Sequence, residues 1–307
     1  MNSLGLLQER AQRVATIRSW VLAAVVLAGS ARAAPLERFF IMGDGRLALV
    51  NAHTNARVDV RYRRPDGTYD EAALAQIRQA FRSVGDEGEG RASLRLIEIL
   101  SSVQKLSGVR SLTLMSGYRS PAYNEGIRAG GARAAAGSLH TEGLAADVAF
   151  PGRMLKALWM KLRSMDCCGA GYYAKEGFLH IDVGRPRFWE PATSRVEENL
   201  SAGNAQLFAR TEYDRYAVGE MMVITVHSMT VPPVRLAREV EVVPRKGEVV
   251  RARLEGADGC ITVPESSGHV VLPDVHGAVG ARIVLRTCEP RIERTPEQIE
   301  TNPVDVR

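Results

Sequence analysis

The chain has 307 residues, 45% of them hydrophobic and 24% charged, and a formal net charge of +5. That length suits about two domains, and the composition excludes a disordered or collagen-like chain. Residues 1–33 hold four Arg and one Glu, which leaves the remainder at +2 and gives no electrostatic case for nucleic-acid binding.

In chain order, Arg10, Arg13 and Arg18 precede a short apolar run at residues 20–28, and Ala31-Arg32-Ala33 follows. A basic start, a short apolar core and an A-x-A site form a secretory signal peptide, so residues 1–33 are expected to be cut off after Ala33. The apolar run falls short of the roughly 20 residues a bilayer span needs. No stable membrane span is therefore expected after cleavage, and Ala34, not Cys, at the new N-terminus argues against a lipoprotein.

Residues 38–60 alternate in FFIM, LALV and VDV and predict a strand hairpin. Asp70 stands before Leu74, Ile77, Phe81 and Val84, which is an N-cap followed by a helical apolar face. Leu96, Ile99, Leu100, Val103 and Leu106 predict a second helix that Gly108 stops. Residues 111–115 read as a strand leading into SGYRSPAYN at 116–124, and residues 124–137 as a helix fading into a Gly/Ala loop. Leu155, Leu158, Trp159, Leu162 and Met165 mark a third amphipathic helix. Residues 169–173 and 178–183 predict a hairpin around Ala174-Lys175-Glu176-Gly177.

After Trp189 the texture changes. Residues 190–205 are polar and suit a linker, and from Leu207 the runs MMVITV, VEVV, VVRARL, HVVL and ARIVLRT predict a small β-sandwich. The expected organisation is a leader at 1–33, a catalytic α+β domain at 34–190, a linker at 191–205, an all-β region at 206–290 and a loose Pro- and Glu-rich tail at 291–307. A chain ending near Glu190 is expected to fold and act by itself. Four cysteines allow three pairings; Cys260 and Cys288 can bridge strands of the β region, while Cys167 and Cys168 read as buried thiols.

The chemistry concentrates between Ser138 and Asp182. SLHTEGLAADV carries His140 and Asp147, and FLHIDVG carries His180 and Asp182. Two imidazoles and one carboxylate are a common three-ligand set for a catalytic zinc that keeps one position open for water. Positions i and i+2 of a strand share a face, so Asp182 can stand beside His180 as the proton acceptor, with Glu176 as the second candidate. Asp182 can instead orient a ligand histidine. Each spacing alone is weak; the combination with SGYRSPAYN upstream is specific. His53, His227, His269 and His276 are scattered and read as solvated or core residues. Tyr118, Tyr172 and Tyr173 are candidates for lining a groove.

Residues 38–190 resemble the exported murein endopeptidases of the YcbK (murein endopeptidase K) group, within the zinc D-Ala-D-Ala peptidase superfamily. The matching blocks are SGYRSPAYN, SLHTEGLAADV and GAGYYAKEGFLHIDVGRPRFW. The resemblance implies a Hedgehog/DD-peptidase-like α+β fold, Zn2+ on His140, Asp147 and His180, peptidoglycan stem peptides as substrate, and a periplasmic location. It also implies that Arg119 contacts a substrate carbonyl or carboxylate, a task the guanidinium fork suits. A D,D- or L,D-carboxypeptidase on the same scaffold and a non-catalytic wall-binding protein remain the alternatives. The Ala/Gly-rich segment before His140, Cys168 in place of a glycine, and the whole β-rich region depart from the pattern; an envelope protein is the candidate partner for that region.

Overall fold

Two capping side chains start the first helices. Asp70 accepts a hydrogen bond from Ala73 N at 3.1 Å ahead of α1 (Glu71–Ala80), and Ser93 Oγ accepts from Leu96 N at 3.3 Å ahead of α2 (Leu94–Ser107). Gly108 closes α2 in the left-handed region at φ 68°. The structure is a computed structural model that describes residues 37–307 except 86–87, 131–136, 194–201, 266, 276–277 and 293. The expected signal peptide, most of the expected linker, much of the Ala/Gly-rich segment and His276 lie outside the described residues.

The α+β part is built on a seven-stranded sheet. Its strands are β1 (Arg46–Asn51), β2 (Arg57–Arg61), β3 (Leu112–Ser116), β4 (Ala145–Ala149), β5 (Gly169–Tyr173), β6 (Phe178–Asp182) and β7 (Arg187–Trp189), in the order β2-β1-β3-β4-β6-β5-β7. The β1–β3 and β5–β7 pairs are parallel and the rest antiparallel. The remaining helices are α3 (Pro121–Ala129) and α4 (Gly152–Met165). Ile77 and Phe81, Leu96 and Leu100, and Leu155 and Leu162 pack with Leu47, Leu112, Val148, Leu179 and Ile181 in one apolar cluster. Burial of such side chains contributes about 1.5–3 kcal/mol each and sets which face of the sheet is core.

The β-rich part begins with β8 (Phe208–Thr211), β9 (Arg215–Tyr216), β10 (Met222–His227) and β11 (Val234–Val243). It continues with β12 (Val250–Arg253), β13 (Cys260–Val263), β14 (Gly268–Leu272), β15 (Arg282–Thr287), β16 (Gln298–Glu300) and β17 (Asp305–Val306). One sheet runs β14-β10-β8 and another β12-β11-β15-β16, with β13 also on β11. Ile224 and Leu272 from the first share an apolar cluster with Leu236, Ile283 and Leu285 from the second. Cys260 and Cys288 form a disulfide, and Cys167 and Cys168 are free thiols.

The C-terminal end of this region differs from expectation. The segment at 291–307 is not a loose tail: β16 pairs with β15, β17 pairs with β9, and Val304 and Val306 are buried. Isolated Ile and Val positions flanked by Pro and Glu look like a tail in sequence, yet Ile299, Val304 and Val306 fill core positions here. The two parts are also interlocked by buried polar contacts within one compact unit, Pro35–Arg307. Arg95 of α2 forms an ion pair with Asp214 and donates to Thr211 O at 2.9 Å. Arg210 of β8 donates to Gly184 O, His227 Nδ1 lies 2.7 Å from Glu142 Oε2, and Phe208 enters the α+β core. Such groups would be left uncompensated if one part were removed.

Candidate metal centre

Alternation along two neighbouring strands builds the site. In β6, Leu179 and Ile181 join the apolar core, so His180 and Asp182 take the opposite face. The β4–β6 register sets Asp147 directly across from His180, and the β3–β4 register sets Ser116 beside Asp147. His140 comes from the 3-10 turn Leu139–Glu142 just before β4.

Two close approaches explain the glycines of β5. A Cβ on Gly169 would lie 2.3 Å from Asp182 Oδ2, and one on Gly171 would lie 2.6 Å from the Trp189 ring. The Gly-Ala-Gly run thus makes room for a buried carboxylate and for an indole that sits 5.2 Å, centroid to centroid, from the His180 ring.

Hydrogen bonds aim both imidazoles. His140 Nδ1 is 2.7 Å from Gly117 O; a carbonyl only accepts, so Nδ1 carries the proton and Nε2 keeps a lone pair. His180 Nε2 lies 3.1 Å from Asp182 Oδ2, while its Nδ1 lies 2.8 Å from Asp147 Oδ1. His140 Nε2 and His180 Nδ1 are 3.3 Å apart, and Asp147 Oδ2 is 3.5 Å from His140 Nε2. One ligand atom from each of the three residues lies within 4.8 Å of the others. Two aimed nitrogens and a carboxylate oxygen fit a divalent metal, and their partners fix the ligand orientation before any ion arrives.

The electrostatics agree. Burial opposes the charge of Asp147, but His140 and His180 beside it hold its carboxyl well below the usual range. Burial lowers His180, yet its bonds to Asp147 and Asp182 push it up to about 9. His140 is lowered by burial despite the nearby Asp147.

The six residues expected in the site separate clearly. His140, Asp147, His180, Asp182 and Arg119 come together. Arg119 donates from Nε to Ser116 Oγ at 2.9 Å and from one terminal nitrogen to Asp147 Oδ2 at 3.2 Å, so it steadies that carboxylate. Its side chain also lines a cavity of about 180 Å³ with Ser116, Gly117 and Tyr123.

Asp182, expected as the proton acceptor or as a group orienting a ligand histidine, is enclosed by donors. It is fully buried; Oδ1 accepts from Gly184 N at 2.7 Å and from Arg187 at 3.1 Å, and Oδ2 accepts from Arg187 at 2.9 Å besides contacting His180. Burial opposes its charge, but Arg187 and His180 hold it down to about 2. It therefore sits on the far side of the His180 ring from the converging ligand atoms. Glu176 is exposed in the β5–β6 turn, outside the strand that carries His180.

Sequence reasoning missed Arg187, Trp189 and the two glycines as parts of the site. Their signal was the GAG run and the RFW of β7, which pairs with β5. Of the tyrosines, Tyr173 accepts from Trp189 Nε1 at 3.2 Å, whereas Tyr118 is buried and Tyr172 stacks on Trp159. His227 pairs with Glu142, and His269 bonds Thr225 Oγ1 at 2.8 Å, so neither joins the centre.

Comparison with known proteins centres on the same segment. The family model described as "Peptidoglycan L,D-endopeptidase MepK" (Peptidase_M15_2) matches residues 42–189. The protein named "Peptidoglycan L,D-endopeptidase MepK" of Escherichia coli K12 is 33% identical over 144 residues, covering 47% of this chain and 79% of that protein. The protein of that name in Shigella flexneri gives the same values. The "Probable peptidoglycan L,D-endopeptidase MepK" of Haemophilus influenzae is 25% identical over 146 residues, 47% of this chain and 78% of that protein.

Proposed function

The chain belongs to the MepK family of M15-type peptidases, and on that premise we propose that it is a zinc-dependent peptidoglycan hydrolase that cleaves L,D amide bonds in stem peptides or their crosslinks. The observation that carries this reading is the convergence of His140 Nε2, His180 Nδ1 and the Asp147 carboxylate. The order of the seven-stranded sheet, with helices on its core side, supports a Hedgehog/DD-peptidase-like fold for the segment. The relatives' names, together with the leader pattern at residues 1–33, support export to the periplasm.

When bound, zinc would supply Lewis acidity that polarises a scissile carbonyl and acidifies a water towards a pKa of about 7. The protein's own groups do the rest. Gly117 O holds the proton of His140 on Nδ1, and Asp182 holds His180 through Nε2, so each ring offers its other nitrogen. Asp182 is a positioning residue in this reading. Arg119 steadies Asp147 with one arm of its fork and can offer the rest to a substrate carbonyl as negative charge develops there. Trp189 covers one side of His180 and limits water around it.

The decisive experiment is mass spectrometry of purified muropeptides after incubation with the chain, with and without a chelator. Cleavage of an L,D bond that the chelator abolishes and zinc restores supports the proposal. Cleavage indifferent to chelator removes the metal from the mechanism, and release of a single terminal residue only makes the chain a carboxypeptidase.

A further inference from the structure

A cavity of about 630 Å³ lies away from the metal centre, where α2 and the β6–β7 loop meet β8 and the C-terminal segment. Its apolar walls include Phe39, Ile41, Ile99 and Phe208. Its charged walls are unbalanced. Arg95, Arg185, Arg210 and Arg282 all line it, whereas Asp214 is the buried acid and Asp166 and Glu300 are exposed.

Asp214 is already committed. It pairs with Arg95, and it accepts from Asn302 Nδ2 at 2.8 Å and Phe40 N at 2.9 Å. Arg185 and Arg282 each donate to a backbone carbonyl, Leu207 O at 2.7 Å and Thr301 O at 3.0 Å. Arg210 is 8% exposed, and its side chain makes a hydrogen bond to Gly184 O and, among the described residues, no ion pair. The guanidinium has five donors, and as a lining residue of the cavity it can engage an anion there with those that Gly184 O does not use. Burial and the neighbouring Arg95 hold Arg210 down to about 9, although Asp214 and Asp182 nearby oppose that shift.

We propose that this cavity binds a small amphipathic oxyanion, a carboxylate or phosphate attached to an apolar body, with Arg210 gripping the charged head. The volume lies in the range of ordinary small-molecule pockets. The guanidinium fork matches a planar or tetrahedral oxyanion, and the aromatic and aliphatic walls accept the rest. Arg210 is linked to the metal centre through Gly184, whose N–H bonds Asp182. The binding does not depend on the peptidase reading, and its test uses no turnover.

The test is isothermal titration of the purified chain with benzoate, phenyl phosphate and inorganic phosphate, plus crystals soaked in 4-bromobenzoate. One saturable site is expected for benzoate or phenyl phosphate, and whichever binds tighter identifies the head group. Inorganic phosphate should bind at least about tenfold weaker, because it lacks the apolar body. Arg210→Met should weaken binding by about tenfold or more, the effect of losing a charge-assisted hydrogen bond. The bromine anomalous peak should fall in the cavity beside Arg210, which tests the site even if the variant does not fold. No saturable binding of either aromatic anion up to about 10 mM would overturn the proposal. So would bromine peaks only elsewhere, undiminished affinity in folded Arg210→Met, or inorganic phosphate binding as tightly as phenyl phosphate.

Discussion

Replacing Asp182 with Asn discriminates between the two roles this carboxylate can play. The change keeps the shape of the side chain but turns one acceptor oxygen into an NH2 donor. Asp182 accepts from Gly184 N and Arg187 and contacts His180 Nε2, so in any orientation the new donor faces another donor. The Arg187 side chain is 47% exposed, and screening by water leaves little of that pair's attraction to lose. The buried bond to His180 is the larger loss, and a hydrogen bond to a charged group contributes about 1.5–3 kcal/mol. Passed on to the metal through a loosened His180, that corresponds to roughly 10- to 100-fold weaker binding. Zinc affinity is measured by competition with a chromophoric chelator, and turnover is followed on purified muropeptides with excess zinc. Affinity should fall by that factor while excess zinc restores most turnover. Unchanged affinity with turnover down about a hundredfold to ten-thousandfold would refute the positioning role and make Asp182 the proton acceptor.

Four further outcomes are expected. With its pKa raised to about 9, metal-free His180 is protonated at pH 7, so zinc binding releases that proton; affinity should rise about tenfold per pH unit up to roughly pH 9 and then level off. Calorimetry in buffers of different ionisation enthalpy counts the proton, and a pH-independent affinity contradicts the raised value. The same shift stabilises the metal-free fold fully below pH 6.5 and ceases to do so as pH rises through 9. Arg95→Ala takes the paired cation from buried Asp214, leaving it only the Asn302 and Phe40 N hydrogen bonds, and should lower stability by about 3–5 kcal/mol in urea unfolding; a loss under about 1 kcal/mol would mean that the pair does not tie the two parts together. A chain ending at Glu190 should lose stability and zinc affinity, because Arg210, His227 and Phe208 no longer brace Gly184, Glu142 and the core; a fully stable, zinc-binding, active fragment would restore the independent domain expected from sequence. N-terminal sequencing of the exported protein should begin at Ala34, and a mature chain retaining residues 20–28 would overturn the leader assignment.

Local rules make much of this protein legible in its sequence. Asp70, Ser93 and Gly108 act within one turn of their own positions, and the apolar stripes of the first two helices report which face is buried; both are properties of consecutive residues. His140, Asp147 and His180 stand out because ligand chemistry restricts residue type and strand alternation restricts direction. Tertiary structure alone shows the surroundings of Asp182. Its i+2 position puts it on the face of His180, but only the β5–β7 pairing brings Arg187 to neutralise it and Gly169 to make room for it. The ordered segment at 291–307 and the clamp between the two parts are equally hidden. Strand pairing across long separations leaves no periodic trace in short Pro- and Glu-flanked segments, and a buried Arg95–Asp214 pair, 119 residues apart, looks in sequence like two surface charges. Short-range preference determines which elements form; long-range charge compensation and the filling of space determine which of their side chains meet.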